Sequence, residues 1–463
     1  MRSLAVVPFL LACAALPALA QGTARANQAA KECVVITTGV VRNGEYTTTT
    51  TMHGRDTTWV GGGVDAKCEG TDQRVLSDSA EHYADRHVMI LIGHVHYTES
   101  RLKLDADRIT YFTAEERLLA EGNVVGVTNT GTRFTGPRAE YLRPAAGVRE
   151  KSHLVAEPRS NIWVSPKDAG NDSKDSVNVQ ADRLIMDNDS LIFARGVVVI
   201  ERPDLLSTSD SAFVDKFTEF ARLTQTPRVV GRGDRHFTLS GNILDIFSKK
   251  HEVERVKSLG DAVATSDDVT LKADTIDLRI VNQKLDRAFA WGRSRSHAHS
   301  KEQDITADSI DVLMPGQTLR TMRAVGRAIA ESDPDSTKIA SKKLDYLQGD
   351  TIIARFDSLA ATDTASQPSI KEVFAKGTPT ARARSYYQVA RNSEGKTDQP
   401  NVNYVLGDSI TVTFRKRQVY EVHVLGHVEG FYDELAADST HVKAAKDSAT
   451  TRPAPKPAEK KKP

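Results

Sequence analysis

The chain is poor in the residues that usually announce chemistry. It has three cysteines in 463 residues, and one of them falls within the first twenty. No CxxC spacing accompanies them, which argues against a zinc site. Aromatic residues make up only 6%. Lys plus Arg number 62 against 61 Asp plus Glu, so no basic footprint for nucleic acid stands out. Beyond residue 20 no apolar stretch reaches the length of a spanning helix. Gly-x-Ser-x-Gly, Walker, Rossmann and HExxH motifs are all missing. The sequence therefore predicts no enzyme and no cofactor.

What is present is a repeated phrase. In His87–Val127 a small residue and an acid, Ala106-Asp107, precede apolar residues that alternate at Ile109 and Tyr111. A polar turn, Thr113–Glu116, leads to a second apolar run that Gly122 interrupts and Asn123–Val127 resumes. Period-two alternation marks strands, and a Gly inside an apolar run marks a bulge, a corner or a close approach. The phrase returns at Asp182 before Gly196, Asn242 before Gly260, Asp274 before Gly292, Asp308 before Gly326 and Asp408 before Gly426. Weaker copies sit at Asp78 before Gly93, Asp210 before Gly231 and Asp350 before Gly377. In the four copies at 242, 274, 308 and 408 the acid or amide and its Gly are eighteen positions apart. Such regularity predicts a repeat architecture in which each unit buries its apolar face against its neighbours.

Ahead of four of these glycines, apolar residues recur every third position: Val253, Val256, Leu259; Leu285, Ala288, Trp291; Leu319, Met322, Val325; Val419, Val422, Leu425. That spacing also suits a helix face. The run covers only about two turns where helices average about 11–12 residues, so a bent strand with a bulge that switches the inward face is preferred.

Taken in order, residues 1–20 read as an export signal: Arg2, an apolar middle from Leu4 to Leu16, and Ala18-Leu19-Ala20 before Gln21. Leu10-Leu11-Ala12-Cys13 has the form of a lipoprotein box, which keeps lipidation at Cys13 as an alternative. Residues 21–76 form an N-terminal section containing the two remaining cysteines, Cys33 and Cys68, on either side of Gly61-Gly62-Gly63. In an exported chain they read as a disulfide, worth roughly 3–4 kcal/mol for a loop of about 35 residues, or alternatively as two buried thiols. Repeats are expected over residues 77–165 and 177–432, with the polar Pro166–Ser176 stretch as the boundary. Residues 433–463, rich in Lys, Ala and Pro, read as a disordered, solvated tail.

Thirteen histidines invite a metal reading, and His94-Val95-His96 and His297-Ala298-His299 each pair two imidazoles. Two ligands without a third at fixed spacing do not make a site, so no metal is expected. The recurring acids fit backbone N–H capping at strand starts or turns better than catalysis, because a repeat spreads them along a line.

The phrase "Ala-Asp-x-Ile, turn, Gly-Asn-Val" at Ala106–Val124, its copies, and Phe134-Thr135-Gly136-Pro137-Arg138-Ala139-Glu140-Tyr141 resemble the OstA-like family. That family covers LptA-type periplasmic lipopolysaccharide-transport proteins and the N-terminal periplasmic domain of LptD. The resemblance runs over roughly residues 75–430. It implies an elongated, all-β, repeat-built antiparallel jelly-roll, an open V of two sheets that holds lipopolysaccharide acyl chains in an apolar groove. It also implies end-to-end strand pairing with other jelly-roll proteins of this type and an outer-membrane assembly partner. The chain departs from the LptA pattern in its greater length, the cysteine-bearing section in front and the Lys-rich tail behind. Candidate groove residues are Val88, Ile90, Ile92, Val125, Val127, Val198, Ile200 and Leu425, or their immediate neighbours, since a slip of one residue exchanges the two faces. The rival function is an exported β-scaffold that binds proteins through its sheet edges.

Overall fold

A computed structural model describes residues 35–37, 46–52, 55–68, 70–145, 147–164, 177–232, 236–266, 269–300, 303–334, 336–357, 369–390, 396–415 and 418–433. The export signal, Cys13, Cys33, the Pro166–Ser176 stretch and the Lys-rich tail lie outside them, and with Cys33 the expected disulfide. The protein is all-β: among the described residues there are antiparallel strands and three single 3-10 turns, and no α-helix. Contacts divide the chain into two compact units, Met1–Gly196 and Val197–Pro463. The division falls inside the strand Leu191–Glu201, at the Gly196 corner, rather than at the polar stretch the sequence suggests.

Unit 1 is a meander of long strands: Arg55–Cys68, Arg74–Tyr83, Val88–Thr98, Leu102–Phe112, Arg117–Thr128 and Arg133–Leu142. Each bends near its middle, so the meander carries two half-strand ladders joined along a row of corners. The ladders separate after residue 142. Residues 139–142 pair with His153–Ala156, which leads to Arg183–Asp187, while residues 133–135 pair with Ser160–Val164, which leads to Val177–Ala181. The repeat thus begins in Arg55–Cys68, inside the section that reads from sequence as a separate N-terminal piece.

Unit 2 follows the same plan. Residues 211–215 of Leu205–Asp215 pair with Phe220–Thr224 and residues 205–208 with Arg228–Gly231. The two ladders rejoin in Glu252–Ser266 and run through Val269–Val281, Lys284–Ser300, Asp304–Leu313, Thr321–Ser332 and Asp345–Phe356. They part again after residue 356. One ends in Gln418–Leu425 and the other in Glu429–Asp433.

The corners explain the repeated phrase. A Gly and its successor stand opposite a single residue of the next strand: Gly93-His94 opposite Asp107, Gly122-Asn123 opposite Pro137, Gly260-Asp261 opposite Asp274, Gly326-Arg327 opposite Asp350. Gly61-Gly62-Gly63 is the same device in the first long strand, with residues 62 and 63 opposite Asp78. Asp107, Asp274 and Asp308 therefore sit in mid-strand, whereas Asp182 and Asp408 directly precede Arg183–Asp187 and Ser409–Arg415, at strand starts as the capping expectation has it. They still serve hydrogen-bond donors of the residues after the Gly: Asn123 Nδ2 donates to Asp107 at 2.9 Å, Arg327 Nη2 to Asp308 at 2.7 Å, and the Ser294 N–H to Asp274 at 2.9 Å. The acid that covers each glycine comes from the preceding strand, Asp78 at Gly93, Asp107 at Gly122 and Asp308 at Gly326, and fills the space a Cβ would take, which is why acid and Gly recur together.

The extra residues also settle which side chains face inward. On a Gly strand the parity survives the corner: Met89 and Leu91, then Val95 and Tyr97, are buried. On an acid strand it changes: Leu102, Leu104 and Ala106, then Ile109 and Tyr111. At the corner itself the face switches on acid strands only; on Gly strands the expected switch falls ahead of the corner, where Val253 and Val256, and Leu285 and Ala288, are all buried. The three-residue spacings at Val253/Val256, Leu285/Ala288 and Val419/Val422 are each a second bulge next to a hairpin, with one extra residue between the pair. These runs are bent strand, not helix.

Gly122 has φ +76°, and a Cβ there would lie 2.3 Å from the Asp107 carboxylate. Gly122→Ala should destabilise unit 1 by about 1–3 kcal/mol through left-handed backbone strain and displacement of the acid. Adding Asp107→Ala should recover only the steric part. Denaturant unfolding of the single and double variants checks both.

Candidate functional site

The chemistry available to this fold lies between its ladders. In unit 1 the inward faces of both ladders are apolar and closely packed: Leu91, Leu102, Leu104, Ile109, Leu118 and Phe134 are each at most 1% exposed. The corners close one side of this interior. On the opposite side each ladder ends in a row of hairpins, and the gap between the two rows is the mouth.

A small apolar cavity of about 30 Å³ survives just inside the mouth. Met89, Leu91 and Leu118 line it from the first ladder, Ala66, Val75 and Tyr97 from the second. A buried water needs about 10–15 Å³, whereas pockets for organic ligands run to about 300–1,000 Å³, so this cavity has no room for an organic ligand as it stands.

Polar residues from both rows of hairpins close the mouth. Glu99 follows the strand Val88–Thr98, on the second ladder's rim. Glu116 lies in the turn before Arg117–Thr128, and Arg143 directly follows Arg133–Leu142, both on the first ladder's rim. Arg143 Nε donates to Glu99 Oε2 at 2.7 Å and Nη1 to Glu116 Oε2 at 2.5 Å. The Tyr97 hydroxyl donates to Glu99 Oε2 at 3.0 Å and the Tyr111 hydroxyl to Glu116 Oε2 at 2.6 Å. Gln73 packs against the guanidinium. Glu99 is 7% exposed, and its Oε1 is buried without a hydrogen-bond partner.

Burial pushes the Tyr97 and Tyr111 hydroxyls well above the ordinary tyrosine range, reinforced by the carboxylates they bond. Burial works against the Arg143 cation too, but the Glu99 and Glu116 carboxylates beside it keep it charged, its pKa raised above the ordinary arginine value. The cluster is therefore a fixed cation between acids.

Unit 2 has its own rim contacts. Arg202, in the hairpin after Leu191–Glu201, holds Asp204 at 3.2 Å. Its Nη2 reaches the backbone carbonyl of His251, in the hairpin before Glu252–Ser266. Asp345 is buried at the start of Asp345–Phe356 and accepts from the Gln388 N–H at 2.9 Å and from Gln388 Nε2 at 3.1 Å. Burial raises its pKa, and those two hydrogen bonds only partly oppose the rise.

The sequence-derived groove candidates fall on both faces. Val198 and Ile200 point inward and are buried. Val88, Ile90 and Ile92 are half-buried on the outer face, and their neighbours Met89 and Leu91 point inward. Val125 and Val127 also face outward, with Val124 as their inward neighbour. Leu425 is 65% exposed on the last strand of its ladder. No group of His, Cys, Asp and Glu arranged to hold a metal ion occurs among the described residues: His94 turns to Asp78 at 2.8 Å and His96 to Asp105 at 2.7 Å, while His297 and His299 both turn to one oxygen of Asp304. Sequence reasoning missed Arg143, Glu99, Glu116 and the two tyrosines. The available signal was an aromatic residue followed by an acid at two successive turns, Tyr97-Thr98-Glu99 and Tyr111 to Glu116.

Because the Asp345 pKa is higher folded than unfolded, its charge opposes folding at neutral pH. That penalty fades as pH falls through the folded value and is gone below the unfolded value near 4. Asp345→Asn keeps the acceptor and drops the charge. It should raise the melting temperature at pH 7, with the gain shrinking towards pH 4, as measured by thermal unfolding across that range. No family model matches the chain and no curated protein matches it, so the reading of the site rests on its own residues.

Proposed function

We propose that the chain is an exported, non-enzymatic lipid carrier of the lipopolysaccharide-transport type, working in the periplasm and delivering towards the outer membrane. The observation that carries this reading is the two-ladder interior. Within each unit, strand after strand turns apolar side chains into one packed apolar interior between its two ladders. Acyl chains suit such a space, because each buried CH₂ contributes roughly 0.8 kcal/mol and asks for no particular geometry. The outer faces do not suit them. They carry cross-strand ion pairs such as Arg222 with Asp245 at 2.7 Å, Arg255 with Asp277 at 2.5 Å and Arg287 with Asp311 at 2.6 Å.

A second reading, a β-scaffold that takes protein partners at its edges, draws on the end of unit 2. Gln418–Leu425 and Glu429–Asp433 each pair on one side only among the described residues, and Tyr420, Leu425, Phe431 and Tyr432 are more than half exposed. Under the carrier reading the same edges join a further jelly-roll protein end to end.

With the register in hand, photocrosslinking in cells separates the two readings. A crosslinking residue at Leu91, Val124, Val198 or Ile200 should capture lipopolysaccharide, and one at Ile90, Ile92 or Val125 should not. Protein adducts at Leu425 or Tyr432 together with no glycolipid at any inward position would favour the scaffold.

A further inference from the structure

We infer that Arg143 is the movable tie of a latch that shuts the mouth of unit 1, and that an amphiphile with an anionic headgroup opens it. The inference rests on the carrier reading and names how that site is regulated. Arg143 belongs to the first ladder: its N–H donates to the Glu116 carbonyl at 2.9 Å, on the same rim. Its side chain crosses to Glu99 on the second ladder while keeping Glu116 on its own. Releasing Glu99 therefore removes the carboxylate that ties the guanidinium to the second rim, and leaves it with the uncharged Gln73 there and with Glu116 on its own rim.

Three observations distinguish a latch from ordinary packing. The cavity lies directly behind the tie, with Tyr97 and Tyr111 in its wall. The seal is ionic although the interior behind it is apolar, and a buried ion pair is often replaceable by apolar residues without loss of stability. Glu99 also gives up a hydrogen bond at Oε1 in the closed form, which water restores once the mouth opens. The closed form is thus held short of its best packing. In unit 2 the Arg202 side chain spans from one rim to the other in the same way, to the His251 carbonyl.

The chemistry of the tie selects what opens it. A phosphate or carboxylate headgroup competes with Glu99 for the guanidinium, and the attached chain then passes between the hairpins at residues 98–102 and 112–117. A neutral amphiphile lacks that competitor. Glu99 released from Arg143 gains solvent, while Glu116 and Tyr111 keep the cation in place for the incoming anion.

The test is stopped-flow uptake by the full chain of a fluorescent fatty acid and of its methyl ester. The wild type should take up the acid faster than the ester. Glu99→Gln, which preserves shape and weakens the tie, should speed uptake and release of both probes at least tenfold and leave the dissociation constant within about threefold. Arg143→Gln should abolish the preference for the acid. If Arg143→Gln does not fold, Glu99→Gln with the two probes decides alone. Uptake by wild type and Glu99→Gln at the same rates would overturn the latch and leave the carrier reading standing. No uptake of either probe by any variant would overturn the carrier reading, and the latch with it.

Discussion

Everything in this fold depends on making a β-strand turn in mid-course without losing its partners. The solution at most corners is an unequal pairing, two residues opposite one of the next strand, with a glycine that is left-handed at Gly93, Gly122, Gly260, Gly326 and Gly426 and is covered by an acid or amide of the preceding strand. The glycine is needed twice over, for the backbone angle and for the space the carboxylate occupies. The acid then holds the residue after the glycine, which is itself left-handed at His94, Asn123, Arg327 and His427. Local strain of this kind persists only where its surroundings over-determine it. Here the neighbouring corners do so, each setting the bend of the next. One row of corners thus turns a single meander into two ladders and creates an inside.

That logic was legible in the sequence because it is local. Asp308 and Gly326 lie one hairpin apart, so their pairing shows up as a fixed spacing. The bulges beside the hairpins were legible too, as a spacing of three in place of two. What the sequence concealed was the face. Corners add two residues on Gly strands and one on acid strands, so inward positions keep parity in Val88–Thr98 and change it in Leu102–Phe112. A register carried from one strand to the next then slips. Hence Val198 and Ile200 lie inside while Ile90 and Val125 lie outside. The Arg143 cluster was hidden for another reason. Arg143 and Glu99 are 44 positions apart and meet only because the two ladders close on one another, which no local pattern encodes.

The same geometry sorts charge by location. Corner acids such as Asp107 and Asp308 are exposed or part-exposed, where each contributes little to stability, while the outer-face pairs of Asp245 and Asp277 each join a buried acid to a part-exposed Arg. The mouth is different. Glu99 is buried there and Arg143 half-buried, and the loss of solvent makes their attraction stronger and their separation more costly. An apolar rim would seal the interior more simply, but apolar contact does not discriminate between ligands. A half-buried cation held by two acids on opposing rims does, because an anion can take the place of one acid.

The packed interior makes that distinction matter. Side chains already fill the space between the ladders, and the cavity left behind the mouth holds no more than a water or two. A lipid that enters must part the ladders and replace their contacts with its own, each methylene offsetting roughly 0.8 kcal/mol of the side-chain burial it displaces. Apolar exchange is nearly balanced, so it sets no strong preference for the open or the closed form. The rim then decides. Where the hydrophobic terms nearly cancel, a few charged hydrogen bonds at the mouth are enough to control when the interior opens. Those bonds fall at Arg143 in unit 1 because its backbone is anchored on one rim while its side chain reaches the other.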